Sequence, residues 1–146
     1  MNLTQVQVFL TLADELHFGS EPPGHITLMG NVEELRTPVA NVLENAVKYS
    51  GPRRKIVVDI LTPDLDTVTL QVQDNGVGIP RPELKRIFKR FYRVPGDGSS
   101  HVKGTGLGLF IVRSIARRHG GEAFAESEGA GQGSTFTIRL PRVHRV

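Results

Sequence analysis

The chain of 146 residues has the length of one ordinary domain and the composition of a globular protein, with 38% hydrophobic and 23% charged residues. It has no cysteine, which excludes a disulfide scaffold, cysteine-ligated zinc and a thiol nucleophile. No apolar run approaches the roughly 18 residues of a membrane span, and the start, MNLTQVQVFL, lacks the basic region of a secretory signal, so we expect a cytoplasmic protein without a membrane segment.

Hydrophobic periodicity predicts a mixture of helices and strands. Successive strands are joined by short loops, which favours an α+β fold with an antiparallel or mixed sheet covered on one face by helices. In chain order, the predicted elements are a helix over residues 2–18 that stops at Gly19, a linker over 20–25, a short strand over 26–29, a helix over 33–49 ended by Gly51-Pro52, strands over 55–61 and 67–73, a turn over 74–80, a helix over 82–92, a flexible loop over 95–104, a helix over 107–119 closed by Gly120-Gly121, and strands over 122–127 and 134–140.

The net charge of +3 comes from 18 basic and 15 acidic residues. Basic residues form two local clusters, which are either solvated helix faces or surfaces that attract anions. The first cluster contains Arg81, Lys85, Arg86, Lys89, Arg90 and Arg93, and the second contains Arg113, Arg117 and Arg118.

The helix over residues 33–49 carries a polar row on an otherwise apolar element. Pro38 fits best if the helix begins near Thr37, with proline at its first position. Asn41, Asn45 and Lys48 then follow at spacings of four and three, so they project from one face. Amide oxygens can ligate Mg²⁺, and lysine can meet a phosphate. A solvated polar edge explains the same row.

Glycine is in excess, with 16 residues, and most of these fall in three tight groups. The run from Gly104 through Gly106 and Gly108 opens a helix, where backbone N–H groups can approach an anion. It matches neither a P-loop nor G-x-G-x-x-G, and a plain helix start remains an alternative. Asp74 ends an apolar strand before Gly76 and Gly78. Its carboxylate either caps the turn or accepts a hydrogen bond from an exocyclic amine.

Five segments together resemble the catalytic ATP-binding domain of bacterial sensor histidine kinases. They are NVLENAVKYS (41–50), DNGVGIP (74–80), IFKRFYR (87–93), KGTGLGLFIV (103–112) and GQGSTFTIRLP (131–141), which correspond in order to the N, G1, F, G2 and G3 boxes. The resemblance covers roughly residues 26–141. It implies a two-layer α/β sandwich that holds ATP between its helical layer and a mobile lid.

The resemblance also implies a role for individual residues. Asp74 would accept the adenine amino group, with Gly76 and Gly78 making room for the base, and Thr135 would line the adenine pocket. Asn45 would ligate Mg²⁺, and Asn41, Asn45 and Lys48 would be the catalytic residues. Residues 94–104 would form the lid, which Phe88 and Phe91 would anchor unless they are plain core residues, and Phe136 would lie in the core. The ATP-binding set is Asn41, Asn45, Lys48, Tyr49, Asp74, Gly76, Gly78, Ile79, Arg93, Lys103, Gly104, Thr105, Gly106, Leu107, Gly108, Leu109 and Thr135.

One position distinguishes kinases from hydrolases within the superfamily. Relatives that hydrolyse ATP, such as the gyrase B subunit, place a water-activating glutamate four residues before the magnesium asparagine. The matching residue here is Asn41, which cannot act as a base, so the resemblance favours a histidine kinase. Glu44 lies on a neighbouring stripe and is predicted to be a surface residue.

The main departure from the family pattern is the absence of a phosphoaccepting histidine. The stretch Glu33-Glu34-Leu35-Arg36-Thr37-Pro38 resembles the acceptor motif but has Glu33 in place of histidine, and no other histidine has suitable surroundings. We therefore expect ATP and Mg²⁺ binding, with a histidine-bearing dimerisation domain and a response regulator supplied in trans. The alternative is a non-catalytic ATP-binding or interaction remnant of a gene fusion.

Residues 1–20 resemble the first helix of LysR-type transcription regulators, but the recognition helix of those regulators is absent, so DNA binding is not expected. This likeness predicts an N-terminal helix and linker over residues 1–22 and a kinase-type domain over 23–146. It also suggests that the first strand of the kinase domain is missing, which would expose an edge of the sheet and lower stability.

Overall fold

The computed structural model describes residues 3–5, 16–18, 27–29, 32–50, 53–94 and 106–142. These residues form an α+β sandwich with a sheet on one side and two helices on the other. The elements are β1 (Leu3–Gln5), β2 (Leu16–Phe18), β3 (Thr27–Met29), α1 (Val32–Tyr49), β4 (Ile56–Leu61), β5 (Thr67–Asp74), two 3₁₀ turns (Arg81–Glu83 and Arg86–Phe88), α2 (Gly108–Arg118), β6 (Glu122–Glu126) and β7 (Ser134–Pro141).

The main sheet has five strands in the order β2-β4-β5-β7-β6. Only β2 and β4 are parallel, and the other three pairs are antiparallel. A separate antiparallel pair joins β1 to β3. The mixed, mostly antiparallel sheet predicted from the sequence is therefore confirmed.

The core lies between the sheet and the helices. Each strand and helix buries the side chains of one face there. Strand β4 alternates between buried and partly exposed positions along Ile56–Leu61, as expected of a strand with one covered face. Helices α1 and α2 contact each other and enclose the core with their apolar stripes. The most completely buried large side chains include Val42, Val58, Val72 and Val112.

The prediction of a helix over residues 2–18 is wrong for the two parts of this range that the structure describes. Residues 3–5 and 16–18 are strands, and their backbone groups pair with β3 and β4. Pairing with distant strands satisfies the backbone as fully as a helix does, so local periodicity does not decide between them.

The expectation of a missing first strand is also wrong, because β2 pairs with β4 at the edge of the main sheet. The argument for lowered stability from a bare edge at β4 therefore fails. The boundary between residues 22 and 23 stays a prediction, and the pairing of β2 with the sheet counts against it. Gly19, the linker over 20–25 and the helix end at Gly51-Pro52 lie outside the described residues.

Helix α1 begins at Val32 and not near Thr37, so Pro38 lies inside the helix. Proline in a helix interior removes one backbone hydrogen bond and disfavours the helix. The side chain of Pro38 is less than 2% exposed, and its burial in the core offsets that cost. The prediction of a helix over residues 33–49 is otherwise confirmed.

The helix predicted over residues 82–92 is replaced by the two 3₁₀ turns. The backbone N–H of Phe91 donates to the carbonyl of Gly106 at 2.8 Å, and Phe91 has a φ of +64°. This contact with a residue far along the chain takes the donor that a continuing helix would use. The strand at 27–29, the strands β4, β5, β6 and β7 and helix α2 agree with their predictions to within about one residue at each end.

In the described part of the chain, no helix is both long enough and apolar enough to span a bilayer.

Candidate functional site

A cleft of about 370 Å³ opens between α1, the start of α2 and the segment that follows β5. It combines apolar walls with a few polar groups, as ligand sites do. The residues that line it are Asn41, Glu44, Asn45, Lys48, Tyr49, Val77, Gly78, Ile79, Ile87, Tyr92, Arg93, Val94, Gly106, Leu107, Gly108, Leu109, Ile111, Ser134 and Phe136.

The polar row of α1 faces this cleft. Asn41, Asn45 and Lys48 all line it, as their spacing along one helix face predicts. The Nδ2 group of Asn41 donates to the carbonyl of Gly108 at 3.2 Å. This bond ties α1 to the first residue of α2 and leaves the amide oxygen of Asn41 as a further acceptor.

Helix α2 begins at the cleft with a small residue. Residues 106–109 line the cavity, and no side chain among the described residues caps the helix at Leu107. A Cβ atom built on Gly108 would meet nothing within 4 Å. The first turn of α2 therefore presents its backbone amides and the positive end of its dipole beside open space, an arrangement that favours anions.

Asp74 ends β5 and lies behind the cleft wall. Its side chain is 4% exposed. Oδ1 accepts a hydrogen bond from the backbone N–H of Gly76 at 2.8 Å, and Oδ2 accepts one from the hydroxyl of Ser134 at 3.0 Å. Burial raises the pKa of the Asp74 carboxyl, and these hydrogen bonds partly oppose the rise. Asp74 is itself not among the lining residues, whereas Ser134 is.

Ser134, and not Thr135, occupies the cleft position on β7. The register pairs Ser134 with Asp74 and Thr135 with Gln73. Because side chains alternate across a strand, Ser134 and Phe136 share the face that lines the cleft, and Thr135 points to the other face. The prediction that Thr135 lines the adenine pocket is therefore wrong.

The glycines after Asp74 make room for the protein's own backbone. A Cβ atom on Gly76 would lie 2.1 Å from the carbonyl oxygen of Tyr49, and one on Gly78 would lie 2.0 Å from that of Gly129. Gly78 also has a φ of +71°, which side-chain-bearing residues rarely adopt. Close packing of this turn against α1 and the turn before β7 therefore requires both glycines, and their role in making room for the base stays a prediction.

We expect Gly78→Ala to destabilise the domain by at least about 2 kcal/mol, since the new methyl group adds backbone strain to overlap with a fixed carbonyl. A urea unfolding curve measures the loss. Gly108→Ala is the matched control, because its methyl group would enter open space within a helix, where alanine is favoured. Equal stability of Gly78→Ala and the wild type would contradict the packing described here.

The segment after Phe88 forms the opposite wall. Tyr92, Arg93 and Val94 line the cleft. The Tyr92 hydroxyl donates to the carboxylate of Glu83, which in turn lies 3.6 Å from Arg86. The bond to Glu83 raises the pKa of the Tyr92 hydroxyl. Phe88 is buried and stacks edge-on against Phe136, so it is a core residue, whereas Phe91 is 65% exposed.

The structure gathers most of the predicted ATP-binding residues around one cleft. The predicted residues that line it are Asn41, Asn45, Lys48, Tyr49, Gly78, Ile79, Arg93, Gly106, Leu107, Gly108 and Leu109. Asp74 and Gly76 lie behind its wall, and Thr135 does not line it. Lys103, Gly104, Thr105 and the predicted lid beyond Val94 lie outside the described residues.

Three polar residues of the cleft were not predicted from the sequence, namely Glu44, Tyr92 and Ser134. Glu44 was expected to be a surface residue, and it is both exposed and part of the cleft lining. Ser134 follows a glycine at the start of a strand, and only the strand register distinguishes it from Thr135. Apart from their hydrophobicity, nothing in the sequence marks the apolar lining residues, such as Val77, Ile87 and Ile111, as part of the site.

The donor set of the cleft suits a hard cation that also binds phosphate. Amide oxygens of Asn41 and Asn45 are available, and Mg²⁺ takes oxygen ligands while sharing its shell with water and substrate phosphates. Within the described ranges, no group of three His, Cys, Asp or Glu residues forms a site for a metal alone. A metal here would therefore need the phosphates as partners.

Comparison with known proteins agrees with this geometry. A family model described as "Histidine kinase-, DNA gyrase B-, and HSP90-like ATPase" matches residues 30–144. The chain belongs to this family. Its relatives include the sensor histidine kinase RppB of Synechocystis sp., which is 36% identical over 141 residues, covering 96% of this chain and 31% of that protein. The chain thus spans about a third of the length of RppB.

Solved structures give the same result. The mycobacterial sensor histidine kinase MprB superposes with a TM-score of 0.76 at 30% identity, over 90% of this chain and 85% of that one. Full-length ShkA in complex with AMPPNP superposes with a TM-score of 0.74 at 27% identity, over 90% of this chain and 26% of that one. The chain therefore has the fold of the catalytic ATP-binding domain of histidine kinases.

Proposed function

We propose that this chain binds ATP and Mg²⁺ and transfers the γ-phosphate to a histidine on a separate dimerisation domain of a two-component system. The observation that carries the proposal is the cleft, where the polar row of α1 and the exposed start of α2 face each other across one cavity. Structural likeness to ShkA, whose structure contains AMPPNP, supports a nucleotide as the ligand. RppB and the other relatives named above are kinases of sensor systems.

The phosphate end of the nucleotide would lie between α1 and α2. Lys48 and Arg93 line the cleft and supply positive charge, and the amides at the start of α2 donate hydrogen bonds to phosphate oxygens. Asn45 would hold Mg²⁺ through its amide oxygen. When bound, the metal neutralises charge on the phosphates. The task of the protein is then to position the phosphates and exclude water.

The adenine end would lie against the turn that follows β5. Val77, Ile79 and Phe136 provide apolar surface there. Asp74 is buried behind this wall, and its carboxylate accepts hydrogen bonds from the Gly76 N–H, the Ser134 hydroxyl and the Ser134 backbone N–H. A carboxylate offers about four acceptor positions, so one remains for an exocyclic amine.

Phosphotransfer is favoured over hydrolysis by the residue at position 41. The Asn41 amide is engaged with the carbonyl of Gly108 and cannot remove a proton from water. Of the histidines, His17 is part of β2, and His119 lies at the end of α2, where its ring contacts the carbonyl of Ile115 at 2.8 Å. It does not line the cleft. The acceptor histidine and the response regulator are therefore expected in trans, in the cytoplasm where ATP is supplied.

Transfer of radiolabel from [γ-³²P]ATP to the isolated dimerisation domain of RppB tests the proposal. We expect acid-labile, base-stable label on the domain, and none on the same domain with its acceptor histidine replaced by glutamine. A folded chain that binds ATP and does not label the domain would overturn the kinase assignment and favour the alternative, a non-catalytic nucleotide-binding module.

A further inference from the structure

The positive charge of this protein is concentrated in one short segment. Residues 81–93 contain six basic residues and one acidic residue, a net charge of +5, whereas the whole chain carries only +3. The other 133 residues together are therefore net negative. A charge distribution this uneven produces a local field that the net charge of the protein does not reveal.

We call this segment, residues 81–93, the basic rim. Its six basic side chains are all exposed: Arg81, Lys85, Arg86, Lys89, Arg90 and Arg93. Its single acid, Glu83, is engaged by Tyr92 and lies 3.6 Å from Arg86. Among the described residues, no acid pairs with Lys85 or Lys89. The charges of Lys85 and Lys89 are therefore not cancelled by an acid in the described part of the chain.

The second basic cluster behaves differently, which makes the rim distinctive. Arg113 and Arg117 both contact the carboxylate of Glu122, at 3.3 Å and 3.1 Å. Arg118 contacts Glu34 of α1 at 3.1 Å. These cations brace α2 against β6 and α1, so this cluster is part of the fold. The two clusters, equivalent in the sequence, have different electrostatic roles.

The basic rim also borders the nucleotide cleft. Ile87, Tyr92 and Arg93 belong to the same segment and line the cavity. Lys85 and Lys89 are exposed side chains of this segment that do not line the cavity, so their charges act on a ligand from outside it. Like charges beside a cleft with apolar walls focus the field into its mouth and raise the association rate of oppositely charged ligands.

We infer that the basic rim steers the polyanionic phosphate chain of ATP into the cleft. The rim acts on the encounter and not on the bound complex, because most of its charges lie outside the cavity. This inference rests on the proposed nucleotide site and adds the step by which the nucleotide reaches it. The effect is expected to fall with ionic strength, since the screening length is about 8 Å at 0.15 M salt.

The test is the double variant Lys85→Glu/Lys89→Glu, measured by stopped flow with the N-methylanthraniloyl derivatives of ATP and ADP without metal. The chain has no tryptophan, so the fluorophore is excited directly. We expect the association rate constant for ATP to fall by about tenfold at low salt, at the lower end of the contribution that steering makes. The dissociation rate constant should stay unchanged. The loss should be smaller for ADP, which carries less charge, and should vanish at high salt.

The matched control is Arg53→Glu/Lys55→Glu, which makes the same change in charge at exposed side chains outside both the rim and the cleft. It should affect association much less. An unchanged association rate in the rim variant, or an effect on dissociation instead, would overturn the inference and leave the rim as a surface for an acidic protein. Absence of nucleotide binding in the wild type would overturn the proposed function itself, so the two failures are distinguishable.

Discussion

We expect Asp74→Asn to lower the affinity for ATP by about ten- to a hundredfold. The substitution keeps the size of the side chain but replaces an acceptor oxygen by an amide that donates. If the adenine amino group donates to Asp74, the variant sets two donors against each other in a buried place. An unsatisfied buried group costs about 1–3 kcal/mol, and about 1.4 kcal/mol corresponds to a factor of ten. Calorimetric titration of ATP measures the change.

The same variant is expected to remain folded. Asparagine can still accept from the N–H of Gly76 and can donate to the hydroxyl of Ser134, which rotates to suit. Burial raises the pKa of Asp74 above 3.8. The fold therefore prefers the neutral form, whose stabilising contribution is complete below about pH 3.8 and is lost as the pH rises through the folded-state pKa. Because asparagine is always neutral, the variant should be at least as stable as the wild type at pH 7, with this advantage shrinking toward pH 3.

Asp64→Asn provides a matched control. Asp64 lies in the exposed turn between β4 and β5, and its Oδ1 accepts from the N–H of Asp66 at 2.8 Å, two residues along, just as Asp74 accepts from Gly76. The chemical change and the local hydrogen bond are the same, but the cleft is not involved. Equal ATP affinity in wild type and Asp74→Asn would show that Asp74 only orders its turn.

The second large effect is expected from Asn45→Ala. If the Asn45 amide oxygen ligates Mg²⁺, its removal should lower nucleotide affinity in the presence of Mg²⁺ by about tenfold or more, since a charge-assisted contact is worth about 1.5–3 kcal/mol. Binding of ADP without metal should be unchanged. Alanine is the best helix former, so α1 should persist. Calorimetric titrations of ADP with and without Mg²⁺ separate the two contributions.

Asn41→Ala is the informative comparison for this experiment. Asn41 is on the same face of α1 and lines the same cleft, but its amide also holds the carbonyl of Gly108. Its loss should therefore weaken nucleotide binding both with and without metal, because the start of α2 is less firmly placed. If Asn45→Ala were to show that same pattern, the assignment of Asn45 to the metal would be incorrect.

The local sequence pattern correctly predicted the strands and helices whose hydrophobic residues repeat with the period of that element. The strands that alternate, such as β4 and β5, and the amphipathic helices α1 and α2 bury one side of a regular repeat, and this repeat is visible in any single segment. The polar row of α1 could be assigned to one surface for the same reason, since helix geometry fixes the direction of residues three and four apart. The five segments that correspond to the N, G1, F, G2 and G3 boxes were sufficient to suggest the family.

Contacts between distant segments decided the remainder. Leu16–Phe18 is a strand because β4 supplies its backbone partners. The segment around Phe91 is not a continuous helix because the N–H of Phe91 donates to the carbonyl of Gly106. Pro38 stays inside α1 because its ring is buried. No window of local sequence contains these partners, and tertiary contacts override the small energies of local propensity.

The sequence alone was sufficient to name residues of the proposed nucleotide site: the asparagines and lysine of α1, the acid at the end of β5 and the glycines that open α2. Tertiary structure decided which atoms meet. The register of β5 with β7 chose Ser134 over Thr135 as the partner of Asp74, and backbone crowding at Gly76 and Gly78 explained glycines that the sequence attributed to the ligand. The exposed basic rim and the ion-paired cluster of α2 are both groups of basic residues in the sequence, and they differ because only folding brings Glu34 and Glu122 to one of them.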